Sequence, residues 1–251
     1  MRMIDLSVPT EESPSEPLGM KVTYGSHEEG AAFLSRFFGC DTSDFPGGRG
    51  GAAETATITS HAGTHIDAPW HYAPTSEGKK ARTIDELPVE WFFSDGVVLD
   101  MRHKPDGAAV TVDDIKECLG RMKYALKPLD IVMLQTGADK YWGKTEYFDK
   151  GCGLVRESTL WLLAQGVKVV GTDAWGLDRP FWAIRDEFKK THRKEVLWEA
   201  HLAGIDKEYC QIEKLANLEA LPAPTGFKVA CFPINLKGAG AAWCRAVAVL
   251  P

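Results

Sequence analysis

"TATITSHAGTHIDAPWHY", residues 55–72, decides how the chain is organised. Its first six residues alternate in the way a half-buried strand does. They run directly into His61, His65, Asp67 and His71, a His-x3-His-x-Asp-x3-His spacing that places three of the chain's seven histidines within eleven positions. Two histidines four apart would suit one helical face, but Thr64, Ile66 and Pro69 are poor residues for a helix interior. In an extended segment His65 and Asp67 point to the same side. Gly63 permits a turn that brings His61 round to the same point, and Pro69 stiffens the backbone before His71. The stretch therefore reads as a strand leading into a histidine-bearing loop.

Working outward, short β-branched and apolar runs recur, bounded by Gly, Pro, Asp or Asn as strands are. They are "MIDLSV" (3–8), "DGVVLDM" (95–101), "LDIVMLQTG" (129–137), "GVKVVGTDA" (166–174), "FKVACFPIN" (227–235) and "RAVAVLP" (245–251). Helical patterns lie between them. "TVDDIKECLGRMKYA" (111–125) opens on Thr111 as N-cap, with two acids in the first turn. "RESTLWLLAQG" (156–166) ends at Gly166, and "KEVLWEAHLAG" (194–204) ends at Gly204. The Gly-rich segment 40–53 reads as a mobile loop. Interleaved strands and helices predict an α/β chain with a mixed sheet and flanking helices. No repeat or low-complexity tract divides residues 1–251, so one domain is expected.

Imidazole nitrogens with one carboxylate suit a borderline divalent ion such as zinc or manganese. Three ligands (His61, His65 and Asp67) leave a position open for water, whose pKa falls towards neutrality. His71, titrating near neutral pH, then serves as acid and base. The alternatives are an ordinary polar turn or a metal-storage site without catalysis; storage has no need of a proton carrier.

Bulk properties narrow the partners. A net charge of -6, with no Lys/Arg run, argues against nucleic acid. No apolar stretch reaches the length of a signal peptide or the roughly 18 residues of a membrane helix. A cytoplasmic protein acting on a small molecule, away from membranes, is expected. The six cysteines stand singly, without a Cys-x-x-Cys pair, and read as reduced structural residues.

The sequence resembles the cyclase-like metal-dependent hydrolases, a family that includes bacterial kynurenine formamidase and isatin hydrolase. "HAGTHIDAPWHY" (61–72) matches every position of the family's His-x-Gly-Thr-His-x-Asp-x-Pro-x-His signature. "IDLSVP" (4–9), "GTDAWGLD" (171–178, with Gly176 where Ser is usual) and "IEKLANLEALP" (212–222) are similar to further family segments. The resemblance implies a swivelling β/β/α domain that assembles as a homodimer or homotetramer. It also implies a second half-site, a His and, twelve residues on, a Glu: here His201 and Glu213. Members with Glu there hold two metals sharing the Asp, and a member with Gln holds one manganese; Glu213 therefore favours two ions, with one as the alternative.

The implied activity is hydrolysis of an aryl formamide or related amide. Hydrolysis of a cyclic amide, imide or lactone is the alternative, and a non-catalytic metal protein the reading of another class. Tyr24, Arg179, Phe181 and Trp182 are candidate substrate contacts, Arg179 through its planar fork.

Overall fold

The computed structural model describes residues 2–251. Nine strands form one curled mixed sheet: β1 (Arg2–Asp5), β2 (His65–Asp67), β3 (Phe93–Asp100), β4 (Ile131–Gln135), β5 (Val169–Thr172), β6 (Cys210–Glu213), β7 (Lys228–Ala230), β8 (Ala241–Trp243) and β9 (Val247–Leu250), in the order β1-β9-β7-β3-β4-β5-β6-β2-β8. The centre, β3-β4-β5-β6, is parallel, and every other pairing is antiparallel. Parallel strands are covered on both faces, and accordingly every residue of β4, β5 and β6 is buried.

The helices are α1 (His27–Phe38), α2 (Pro69–Tyr72), α3 (Val112–Met122), α4 (Arg156–Ala164), α5 (Phe181–Thr191) and α6 (Glu199–Ala203). Alternation along the strands divides the core in two. Ile66, Val98, Ile131, Met133, Val169 and Ile212 meet Trp91, Phe92 and Leu215 on one face. Val97, Leu99, Val132, Leu134 and Val170 meet Ile115, Leu119, Leu162 and Leu163 of α3 and α4 on the other. Close strand approach depends on Gly96, where a Cβ would stand 2.2 Å from the Phe227 ring.

The predicted helix starts and stops are instructive. Thr111 caps α3 with a complete capping box to Asp114, and Gly166 follows α4 at φ +90°. The single helix read over 194–204 is instead broken: a 3-10 turn at Lys194–Val196 is followed by Trp198 at φ +55°, and only then by α6. The Gly-rich segment 40–53 contains two 3-10 turns, Thr42–Asp44 and Pro46–Gly48. It follows a helix that the sequence reading left out, α1, whose Phe33, Phe37 and Phe38 are exposed and whose one buried residue is Ala31. Phe181 and Trp182, the candidate substrate contacts, occupy the first turn of α5. No helix among the described residues is long and apolar enough to cross a membrane.

Candidate metal centre

The site lies on β2 and β6, on the side of the sheet that faces the helices. Ile66 and Ile212 turn into the opposite core, so His65, Asp67, Gln211 and Glu213 turn the other way. The antiparallel register sets Glu213 directly across from His65 and Gln211 across from Asp67. Gly63, at φ +60°, turns the chain ahead of β2; a Cβ there would stand 2.8 Å from Thr10 Oγ1. This turn brings His61 Nδ1 to 2.9 Å from Asp67 Oδ1. Pro69 stiffens the backbone before His71 as a helix start. It opens the one-turn helix α2 at its first position, where a missing N–H costs nothing. His71 thereby returns to Asp67, with Nε2 at 4.0 Å from Oδ2.

His201, on α6, completes the ring, with Nε2 at 3.8 Å from Asp67 Oδ2 and 3.7 Å from Glu213 Oε1. His65 Nε2 stands 3.3 Å from Asp67 Oδ1 and 3.5 Å from Glu213 Oε2. All six residues proposed from the sequence as ligands or proton carrier thus converge on one carboxylate. Two ligand-spaced groups share it: His61–Asp67–His71 and His65–Asp67–Glu213.

The fit to a cation can be tested on unmet polar demand. His65 Nε2 and both oxygens of Asp67 are buried and make no hydrogen bond. The 2.9 Å approach of His61 is a close pair without hydrogen-bond alignment. Each such orphan costs about 1–3 kcal/mol. A divalent cation held by these groups would satisfy all three at once, and a mixed N/O donor set suits a borderline divalent ion.

Protonation follows the same logic. Burial works against the charged form of both His65 and His201, but the surrounding carboxylates outweigh it: His65 is raised by Asp67, and His201, bonded to Asp178 and close to Asp67, rises to about 10. Burial also opposes ionisation of Asp67, yet the imidazoles hold its carboxyl well below the usual carboxylate range. Glu213 is raised by burial and by Asp67.

Asp178 went unassigned in the sequence, although it closes the "GTDAWGLD" stretch. Its Oδ2 lies 2.5 Å from His201 Nδ1, and its carboxylate accepts the N–H groups of Ala200 (2.8 Å) and His201 (3.1 Å). Tyr209 holds the same turn by donating its hydroxyl to the Ala200 carbonyl at 2.5 Å. Asp178 therefore fixes the tautomer that leaves Nε2 facing Asp67 and Glu213. Asp178→Asn is expected to lower metal affinity about 10- to 100-fold, read by chelator competition; wild-type affinity would remove this orienting role.

His61, His71, His201 and Glu213 of the six line a cavity of about 170 Å³, walled also by Leu18, Phe148, Trp175, Phe181 and Trp198. Trp198 stacks on His201 at 4.2 Å and meets His71 edge-on. Phe181 lines the cavity as expected. Trp182 points elsewhere, donating to the Asp149 carbonyl, and Tyr24 is exposed on a ribbon away from it. Arg179 reaches the cavity wall, but its guanidinium is engaged by Glu187 (2.7 Å) and Glu199 (3.7 Å).

Comparison with known proteins places this site in a family. The chain belongs to the Cyclase family, whose model matches residues 4–179. It is 25% identical to a kynurenine formamidase of Erythrobacter litoralis over 194 residues, 76% of this chain and 74% of that one. It is 32% identical to an uncharacterised protein of Methanocaldococcus jannaschii over 117 residues, 46% of this chain and 48% of that protein. The fold matches an isatin hydrolase bound to the product analogue thioisatinate (TM-score 0.76, 19% identity, 99% of this chain and 92% of that one). It equally matches isatin hydrolase A of Ralstonia solanacearum (TM-score 0.76, 20% identity, 100% and 92%).

Proposed function

We propose that this protein is a metal-dependent hydrolase of a carbonyl C–N bond, acting on an aryl formamide or related aryl amide. The observation that carries the reading is a buried, unpartnered carboxylate ringed by imidazoles, three of which line an aromatic-walled cavity. A cavity of about 150 Å³ holds one benzene, so the space above Asp67 suits a single aromatic ring. The kynurenine formamidase and isatin hydrolase relatives are consistent with that chemistry.

One or two divalent ions, held among His61, His65, Asp67, His201 and Glu213, would supply Lewis acidity towards a carbonyl oxygen. The remaining work falls to the chain. Burial, followed by the flanking imidazoles, pushes His71 down to about 4 despite the opposing pull of Asp67, so its ring is neutral near pH 7 and can accept a proton. Its side chain is 26% exposed, close to the 25% of His61, where those of His65 and Asp67 are wholly buried, so it can pass a proton outward. Trp198 covers the face of His201, and the aromatic walls displace water from the reacting carbonyl.

A second reading has its own support. The cations at the cavity are all engaged: Arg179 by two glutamates, Lys150 by Asp106 and Lys214 by Glu16. Among the described residues, no Lys or Arg lining the cavity is left free to hold a substrate carboxylate, which favours a neutral cyclic amide, imide or lactone over a charged amide. Elemental analysis of protein purified without chelator, followed by a substrate panel, tests both. Two equivalents of zinc or manganese with turnover of open aryl formamides support the first reading. One equivalent with turnover of neutral cyclic substrates supports the second. No metal, with none taken up on soaking, overturns both.

A further inference from the structure

Beside the six converging side chains lies a charged pair that the chemistry above does not use. Lys214 follows Glu213 directly and takes φ +60°, a left-handed conformation uncommon for a side chain of this kind. Both residues line the cavity. The Lys214 ammonium is fully occupied: it donates to Glu16 Oε2 at 2.8 Å and Oε1 at 3.0 Å, and to the carbonyl of His61 at 2.8 Å. The Trp175 ring lies 5.0 Å away. Both charged side chains are 2% exposed.

The geometry clasps the His61 turn from two sides. Lys214 takes the His61 carbonyl, while Glu16 Oε1 takes the Gly63 N–H at 2.7 Å. Thr64, next in line, donates its hydroxyl to the Lys214 carbonyl at 2.5 Å. The turn lies outside the sheet ladder, so it depends on such bonds for its shape. A buried ion pair adds little stability over an apolar pair of the same volume; fixing one arrangement is the better-attested use.

The same carboxylate anchors a segment that reaches the substrate space. Ser15 is buried, accepting from Gly143 N–H and donating to the Lys144 carbonyl, both at 2.9 Å. Glu16 follows, and two residues later Leu18 forms part of the cavity wall. One charged pair therefore joins the N-terminal segment, the His61 turn and the strand end bearing Glu213.

We propose that Glu16 and Lys214 are a positioning pair that sets the His61 turn for metal ligation and holds Leu18 at the cavity wall, so that metal occupancy and order in residues 15–19 are coupled. This rests on the metal-centre reading above. The test uses the full chain and Zn²⁺ or Mn²⁺ alone, by chelator competition and by amide exchange at Gly63 and residues 15–19 with and without metal.

In the wild type, metal is expected to slow those amides about tenfold or more. Glu16→Gln is expected to weaken metal binding about 10- to 100-fold, as loss of an outer partner does, and to abolish the slowing. The double variant Glu16→Gln with Lys214→Met removes the uncompensated charge; it is expected to regain the wild-type melting temperature but not the affinity. Leu18→Ala is expected to leave metal affinity unchanged and raise KM. Metal-binding wild type alongside Glu16→Gln and double variants of equal affinity would overturn the positioning role alone. A wild type that takes up no metal would overturn the metal centre, and this role with it.

Discussion

Asp67→Asn is expected to empty the site of metal and to lower turnover by about three decades or more, the equivalent of several kcal/mol of charge stabilisation. The substitution is nearly isosteric, so it isolates charge from shape. Asp67 is the one group common to both ligand-spaced sets, and it is fully buried. An amide offers one oxygen where the carboxylate offers two, and no negative charge to offset a divalent cation among four imidazoles. Elemental analysis gives the first readout and hydrolysis of a formanilide-type substrate the second. The thermal melt supplies the control: a variant that melts cooperatively yet holds no metal has lost ligation and not fold. Full metal content in the variant would remove Asp67 from the centre of the site.

Why Asp67 was legible while its partners were less so is a matter of distance along the chain. His61, His65, Asp67 and His71 lie within eleven consecutive positions, and a local spacing can be read directly. Glu213 lies far along the sequence. Its place opposite His65 is a fact of antiparallel register between β6 and β2, which spacing does not encode, so only the family resemblance pointed to it. Asp178 acts through the ring of His201 and has no signature of its own.

Helix α1 was missed although Ser26 and Glu29 form a capping box at its start; Gly30 inside it and the Gly-rich stretch after it obscured the pattern. The break at Trp198 is harder still, because a left-handed Trp carries no glycine to announce it. That break is functional in its consequence, since it lays the indole flat on His201. The central strands, by contrast, were legible as short apolar runs such as "IVMLQ", although a mixed sheet was all they implied and their parallel pairing was not read from them.

His71→Ala is expected to separate binding from chemistry, keeping the metal and losing turnover by about 10²- to 10⁴-fold, the usual share of a general acid–base group. Two of three observations set His71 apart from the ligands; the other, its exposure, is shared with His61, whose side chain is 25% open. Its Nε2 is 4.0 Å from Asp67, the longest of the imidazole approaches to that carboxylate. Its side chain keeps 26% of its surface open, towards the cavity. Its burial among other imidazoles holds it neutral, the form that accepts a proton from water and returns it to a leaving nitrogen.

The structure also allows the opposite result, because His71 belongs to a ligand-spaced set with His61 and Asp67. The two roles differ in measurement. A proton carrier lost to alanine leaves metal stoichiometry intact, lowers kcat with little change in KM, and spares substrates whose leaving group departs without protonation. A ligand lost to alanine lowers metal content and affects good and poor leaving groups alike. Comparing an anilide with an activated ester across wild type and variant decides between them: a larger loss on the anilide at full metal content establishes His71 as the proton carrier, and equal losses with depleted metal make it a ligand.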